Sequence, residues 1–328
     1  MTVIYHDADA DIAELKGQQV AVIGYGNQGR PWALNLRDSG FDVMVCVRAD
    51  DTRRQAETDG FVASDLDAAS AADVVCILIP DDAIPSLPLT PKPDALVVVA
   101  SGYTLAFDRL DPACDVGMVA PRMLGPEVRR CYEENVGFIT AVGVHRDATG
   151  RAKERTLAVA KAIGGLRQGA IELTPRQEAI LDLAVEQALS PALSRVSQSF
   201  MGVMMEQGIP LEAIITELVL SGEVERTYRL LREEGYAAQM EHHSPASQYG
   251  QLSRVPSFAH LDVAGPMREI VKGITSGAFA DEWDAERDAG FPEFHALKDA
   301  AAGPAVREFE ADLRTKLGQT ATPSAPPT

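Results

Sequence analysis

Between positions 20 and 30 the chain reads Val-Ala-Val-Ile-Gly-Tyr-Gly-Asn-Gln-Gly-Arg, an apolar β-type run that leads into G-x-G-x-x-G and then into a helical stretch with Pro31 in its first turn. No other segment restricts the fold as much. In a strand–turn–helix unit, Gly24 permits the tight turn, Gly26 lets backbone approach a pyrophosphate, and Gly29 lets the helix pack closely on the strand. Tyr25, Asn27 and Gln28 fill the positions between them. Pro31 suits a position whose amide needs no partner. The pattern predicts a dinucleotide-binding turn; the bland alternative is a glycine-rich turn with no ligand.

The stretches after it agree with that prediction. Short apolar runs at 42–47, 73–79, 95–100, 116–120 and 138–144 alternate with helical segments and are bounded by Gly, Pro and Asp. Such runs read as strands buried on both faces, so the expected fold is α/β, a Rossmann-type doubly wound parallel sheet. The second strand ends in Arg48-Ala-Asp50-Asp51-Thr-Arg53-Arg54. An acid here accepts from a ribose 2′-hydroxyl, whereas arginines accommodate a 2′-phosphate. Both are present, so NADH and NADPH stay open, and Arg53 and Arg54 read equally well as a solvated first helical turn. Pro80 and Asp81 follow a buried run and belong at the carboxyl edge of the sheet, where cofactors lie.

From Thr174 onward long amphipathic helical patterns replace the alternation, at 175–206, 211–234, 265–276 and 279–289. The expected division is a nucleotide domain at 1–170, an all-α domain at 171–312, and a disordered Pro- and Thr-rich tail at 313–328. Thirty Lys+Arg against 48 Asp+Glu leave a net charge of −18, which repels phosphate backbones and anionic lipid. No nucleic-acid or membrane partner is expected. The N-terminus lacks the features of a signal peptide, so the expected location is cytoplasmic. The four cysteines carry no CxxC spacing and read as reduced and structural.

Taken together, the ordered motifs resemble the short bacterial form of ketol-acid reductoisomerase. They are Ile-Gly-Tyr-Gly-Asn-Gln-Gly-Arg at 23–30 with Ala-Leu-Asn-Leu-Arg-Asp-Ser-Gly at 33–40, Met-Val-Ala-Pro-Arg at 118–122, and Asp-Leu-Ala-Val-Glu-Gln at 182–187. Ser-Pro-Ala-Ser-Gln-Tyr-Gly at 244–250 and Ser-Gly-Ala-Phe-Ala-Asp-Glu-Trp at 276–283 complete them. The resemblance implies a Rossmann domain followed by a knotted helical domain, and assembly as homodimers or multiples of dimers. It also implies conversion of 2-acetolactate by a magnesium-dependent alkyl shift, with reduction by NADPH or, less often, NADH, in branched-chain amino-acid synthesis.

An alkyl shift between oxygen-bearing carbons calls for hard cations and hence carboxylates. Asp182 and Glu186 are spaced i, i+4 on one helix, and match the family's first metal pair, with Asp182 at the bridging position. At the second pair this chain has Glu217 with Ser221, so the pair is broken unless a register shift brings in Glu223. Ser244 matches the serine that binds the substrate carboxylate, although a Ser before Pro245 also reads as a helix N-cap. Ser101 stands where the resemblance calls for a histidine, and Arg122 where it calls for a lysine. Arg122 is permanently charged and suits bidentate clamping of a carboxylate. His242 and His243 read as a helix-end surface pair.

The expectation is therefore a diverged NAD(P)H-dependent oxidoreductase acting on a small 2-keto or imino acid-like substrate, with alkyl migration reduced or lost. A genuine acetohydroxy-acid isomeroreductase is the alternative, and a non-catalytic NAD(P)-binding subunit is a second one.

Overall fold

The computed structural model describes residues 2–319. Among them two compact units separate: residues 2–182 with Phe279–Gly290, and Leu183–Ala278 with residues 291–319. The first of these units runs on to Asp182, and one late segment belongs with it. The helix Pro304–Lys316 takes in the first residues assigned to the tail; 320–328 lie outside the described residues.

The first unit holds β1 (Ile4–Tyr5), β2 (Gln19–Ile23), β3 (Asp42–Cys46), β4 (Val62–Ser64), β5 (Val74–Ile77), β6 (Leu96–Val99), β7 (Asp115–Pro121), β8 (Thr140–Arg146) and β9 (Ala170–Glu172). They form one sheet in the order β1-β9-β8-β7-β6-β5-β2-β3-β4. From β4 to β7 every pairing is parallel; β8 runs antiparallel to β7, and β1 antiparallel to β9. The helices of this unit are α1 (Gly29–Asp38), α2 (Asp51–Thr58), α3 (Tyr103–Ala106), α4 (Gly125–Glu133), α5 (Ala152–Ala162) and α6 (Pro175–Ala184), with most of the late helix Ala278–Asp288.

Both sheet faces are buried, which explains the unbroken apolar runs. Val20 and Val22 of β2 pack into one cluster with Trp32, Leu36, Val128 and Leu157. Ala21 and Ile23, pointing the other way, join Ile77, Ile84, Val97 and Leu105. A single slip in register would exchange the two sets. The order reverses between β2 and β5, and at such a switch point the carboxyl ends of the strands diverge into a crevice.

The second unit is helical. Its patterns are more broken than the sequence suggests. The helix begun by α6 passes through one π turn, Val185–Leu189, before Ser190–Glu206. Leu211–Ile215 passes through a second, Thr216–Leu220. Gly222, at φ 77°, then ends that element, and Glu223–Glu234 starts anew.

Candidate active site

At the switch point lies a cavity of about 690 Å³, lined by the 24–28 turn, by Arg48, Asp50 and Thr52 beyond β3, by Pro80 to Asp82 beyond β5, and by Ser101 beyond β6. Gly24 has φ 94°, and a Cβ there would lie 2.5 Å from the Leu78 carbonyl oxygen. A Cβ on Gly29 would meet the Gly24 carbonyl oxygen at 2.2 Å. The turn is thus closed on itself and on β5, and no side chain caps α1. Arg30 N already donates to the Gly26 carbonyl at 3.1 Å and Pro31 carries no N–H, so the donors left for a phosphate at this helix N-terminus lie in the glycine turn itself. The buried Oε1 of Gln28 also lacks a partner, while its Nε2 donates to the Met123 carbonyl at 3.2 Å.

At the ribose end the candidates separate. Asp50 caps α2, accepting from Thr52 N at 3.0 Å; hydrogen bonds from Thr52 hold its carboxyl below the usual range. Arg48 extends into solvent, 3.7 Å from Asp50. Arg53 turns to Asp65 at 2.8 Å and to the Ala63 carbonyl at 3.1 Å, and Asp51 pairs with Arg54. Neither Arg53 nor Asp51 lines the cavity.

Beyond the cavity floor the same unit brings three elements together through α6. Glu178 is buried, with 1% exposure. One of its oxygens accepts the Gly102 N–H at 2.7 Å, and the other pairs with the Arg122 guanidinium. Arg122 Nη2 reaches Asp182 at 2.7 Å. Both arms of the Arg122 fork thus end on protein carboxylates. Burial pushes the Glu178 carboxyl up, opposed by the Gly102 amide and Arg122. Asp81 is pushed up to about 7, first by burial and then by the negative fields of Glu178, Asp82 and Asp182. Ser101 lines the cavity and accepts the Tyr103 N–H at 3.1 Å. The sequence reading passed over Glu178, although Glu178, Asp182 and Glu186 recur every four residues.

In the second unit, Glu186 and Glu217 each fall inside a π turn, a widening found often at functional sites. The simple i, i+4 geometry assumed for both pairs gives way there. Ser221 donates to the Glu217 carbonyl at 3.1 Å, and Glu223 begins a new helix beyond Gly222, so no continuous register brings it into the pair. Ser244 caps Pro245–Arg254. His242 pairs with Glu234 at 2.8 Å and His243 with Gln239 at 2.9 Å, as a helix-end pair would. All four cysteines are buried, and none forms a disulfide among the described residues.

Residues 14–169 match the family model "Acetohydroxy acid isomeroreductase, NADPH-binding domain", and 176–318 match "Ketol-acid reductoisomerase, C-terminal domain". The chain belongs to the ketol-acid reductoisomerase family. It is similar to a ketol-acid reductoisomerase (NADP(+)) of Caldivirga maquilingensis, 36% identical over 323 residues that cover 96% of this chain and 98% of the relative. A second relative of that name, from Saccharopolyspora erythraea, is 35% identical over 336 residues, covering 98% and 99%. The solved structure of an NADH-preferring ketol-acid reductoisomerase from an uncultured archean superposes with a TM-score of 0.88 at 30% identity, over 95% of this chain and 98% of that one. This ketol-acid reductoisomerase homologue is accordingly an NAD(P)H-dependent oxidoreductase with a Rossmann-type nucleotide domain.

The residues fit one of the two groups the family implies. The glycine cradle, the absence of a side-chain cap on α1 and the orphaned Gln28 Oε1 suit a nicotinamide dinucleotide. Paired magnesium ions do not fit equally well. Arg122 already sits on Asp182, and the Glu217 partner is a serine.

Proposed function

We propose that this homologue reduces a small 2-keto or imino acid-like substrate with NAD(P)H, its alkyl-migration activity reduced or lost. The observation that carries the reading is the engagement of Asp182 and Glu178 by Arg122, beside an intact cofactor crevice. Hydride transfer needs the crevice; migration needs carboxylates free to gather cations. A bound nicotinamide supplies the hydride. The chain's own residues do the rest: Ser101 offers a hydroxyl on the crevice wall, and Asp81, its carboxyl pushed up to about 7 by burial, holds a proton for the oxygen or nitrogen bonded to the carbon that takes the hydride.

A second reading, a genuine acetohydroxy-acid isomeroreductase, is favoured by similarity to named reductoisomerases over nearly their whole length and by retention of Asp182 and Glu186. The deciding assay follows NADH and NADPH oxidation with 2-acetolactate and, separately, with its migrated product 3-hydroxy-3-methyl-2-oxobutanoate, each with magnesium and with chelator. Turnover of the migrated ketone alone, surviving chelation, is the expected result. Magnesium-dependent turnover of both would replace the proposal with the second reading, and silence on both would return the non-catalytic one.

Self-association belongs to the same proposal. Leu189, Leu193, Val196, Phe200 and Val203 are each more than 40% exposed and alternate in steps of four and three, the spacing of a helix–helix seam. A second copy of the chain offers the matching stripe. No helix among the described residues is long and apolar enough to cross a membrane, and the proposed setting is cytoplasmic.

A further inference from the structure

Arg122 holds a position in this unit that no sequence rule would give to a spectator. Both arms of its guanidinium end on carboxylates of α6, Nη1 on Glu178 and Nη2 on Asp182. Glu178 is also fixed through its second oxygen by the Gly102 amide, so both of its oxygens are engaged and its side chain is almost wholly buried. A lysine at position 122 would present one ammonium on a flexible stem and release Asp182 by a rotamer change. The planar fork, locked at one arm by a buried glutamate, keeps its second arm where it is. A divalent cation approaching Asp182, whose side chain is 47% exposed, would meet one occupied oxygen and a full positive charge within hydrogen-bond distance of it.

We propose that Arg122 is the resident cation of this site, holding Asp182 in place of a divalent metal and keeping magnesium off that carboxylate. The inference rests on the reading of this homologue as a reductase and deepens it: the charge that migration chemistry borrows from a metal is here built into the chain and cannot follow electrons from one substrate oxygen to another. Glu178 is then a positioning residue, aligning Arg122 with the Ser101-Gly102 turn.

The test uses the full-length protein with bound NADPH and manganese(II) as probe, with the spin-resonance signal of free ion as readout. Wild type and Asp182→Asn are expected to retain equally little manganese. Arg122→Gln should bind it about tenfold more tightly or better, the scale on which groups behind metal ligands change affinity, and the Arg122→Gln/Asp182→Asn double variant should lose the gain. Arg122→Lys keeps the charge without the fork, guards against a misfolded glutamine variant, and should gain affinity to a smaller degree. Tight binding by wild type that disappears in Asp182→Asn would overturn the inference, as would failure of both Arg122 variants to gain affinity. The reductase reading fails separately: 2-acetolactate turnover by a wild type that ignores manganese would sink that reading and leave the inference in place. Manganese on Asp182 with turnover confined to the migrated ketone would do the reverse.

Discussion

Replacing Gly29 by alanine adds one methyl group where the structure has no room for it. That Cβ would lie 2.2 Å from the Gly24 carbonyl oxygen and 2.7 Å from its carbon. Ordinary contact begins near 3.4 Å, so the turn must open by more than an ångström. Both clashing atoms are backbone, and no rotamer change relieves them. Overpacking of this kind costs about 1–3 kcal/mol, and if the opening falls on the turn rather than on the core, cofactor binding bears it. At about 1.4 kcal/mol per decade, NADPH and NADH should each bind roughly 5- to 150-fold more weakly. Fluorescence titration of reduced cofactor measures this, with thermal melting of the free protein beside it. Gly202→Ala is the control, because a Cβ there meets nothing within 4 Å and helical Gly→Ala is neutral to stabilising. Unchanged affinity for both cofactors in Gly29→Ala would refute the argument that this glycine shapes the cofactor turn.

Other expectations follow from particular contacts. Arg48→Ala should weaken NADPH by about tenfold, the size of one charge-assisted hydrogen bond, while sparing NADH; Arg53→Ala should leave both unchanged because Arg53 is committed to Asp65. Equal losses in both titrations would place the 2′-phosphate elsewhere. Asp115 is fully buried and accepts from Ala148, Thr149 and Arg155; burial alone would raise its carboxyl, but these bonds prevail and lower it. Its stabilisation is therefore complete above the unfolded aspartate value of about 3.9 and is lost as pH falls through the lower folded value. Asp115→Asn should cost about 3 kcal/mol at neutral pH by stranding Arg155, and should flatten the acid limb of melting temperature against pH; an unaltered limb would assign that limb to other carboxylates. A Leu193→Asp/Phe200→Asp variant should run as a monomer in light scattering, and an unchanged oligomer would remove this stripe from the interface.

The parts of the fold that could be read beforehand are those where one physical demand dominates. Strands buried on both faces leave unbroken apolar runs, and a phosphate turn must use glycine, so β2, α1 and the crevice were visible in the residues that build them. β1 and β9 are two and three residues long, too short to show a period. The π turns were invisible because a widened turn keeps helical composition and changes only the bond partner, as in the Ser221 N–H bond to the Thr216 carbonyl at 2.8 Å. The placement of Phe279–Gly290 with the nucleotide unit depends on Arg109, which reaches Asp281 and Asp284 at 2.7 Å across more than 170 residues. Glu178 was missed for a related reason. A glutamate on a helix reads as solvated, and only the Gly102 amide and Arg122, far away in sequence, make it a buried one.

A Cβ on Gly125 would fall 1.5 Å from the Asn27 carbonyl oxygen, almost a hundred residues from the turn it touches. In a saturation library scored for cofactor retention, position 125 should therefore group with 24 and 29 in admitting no side chain, whereas Gly17 and Gly60, which have open space around them, should tolerate residues able to adopt a left-handed backbone. The nucleotide signature of this chain is then a spatial set of glycines, of which the contiguous motif contains only a part.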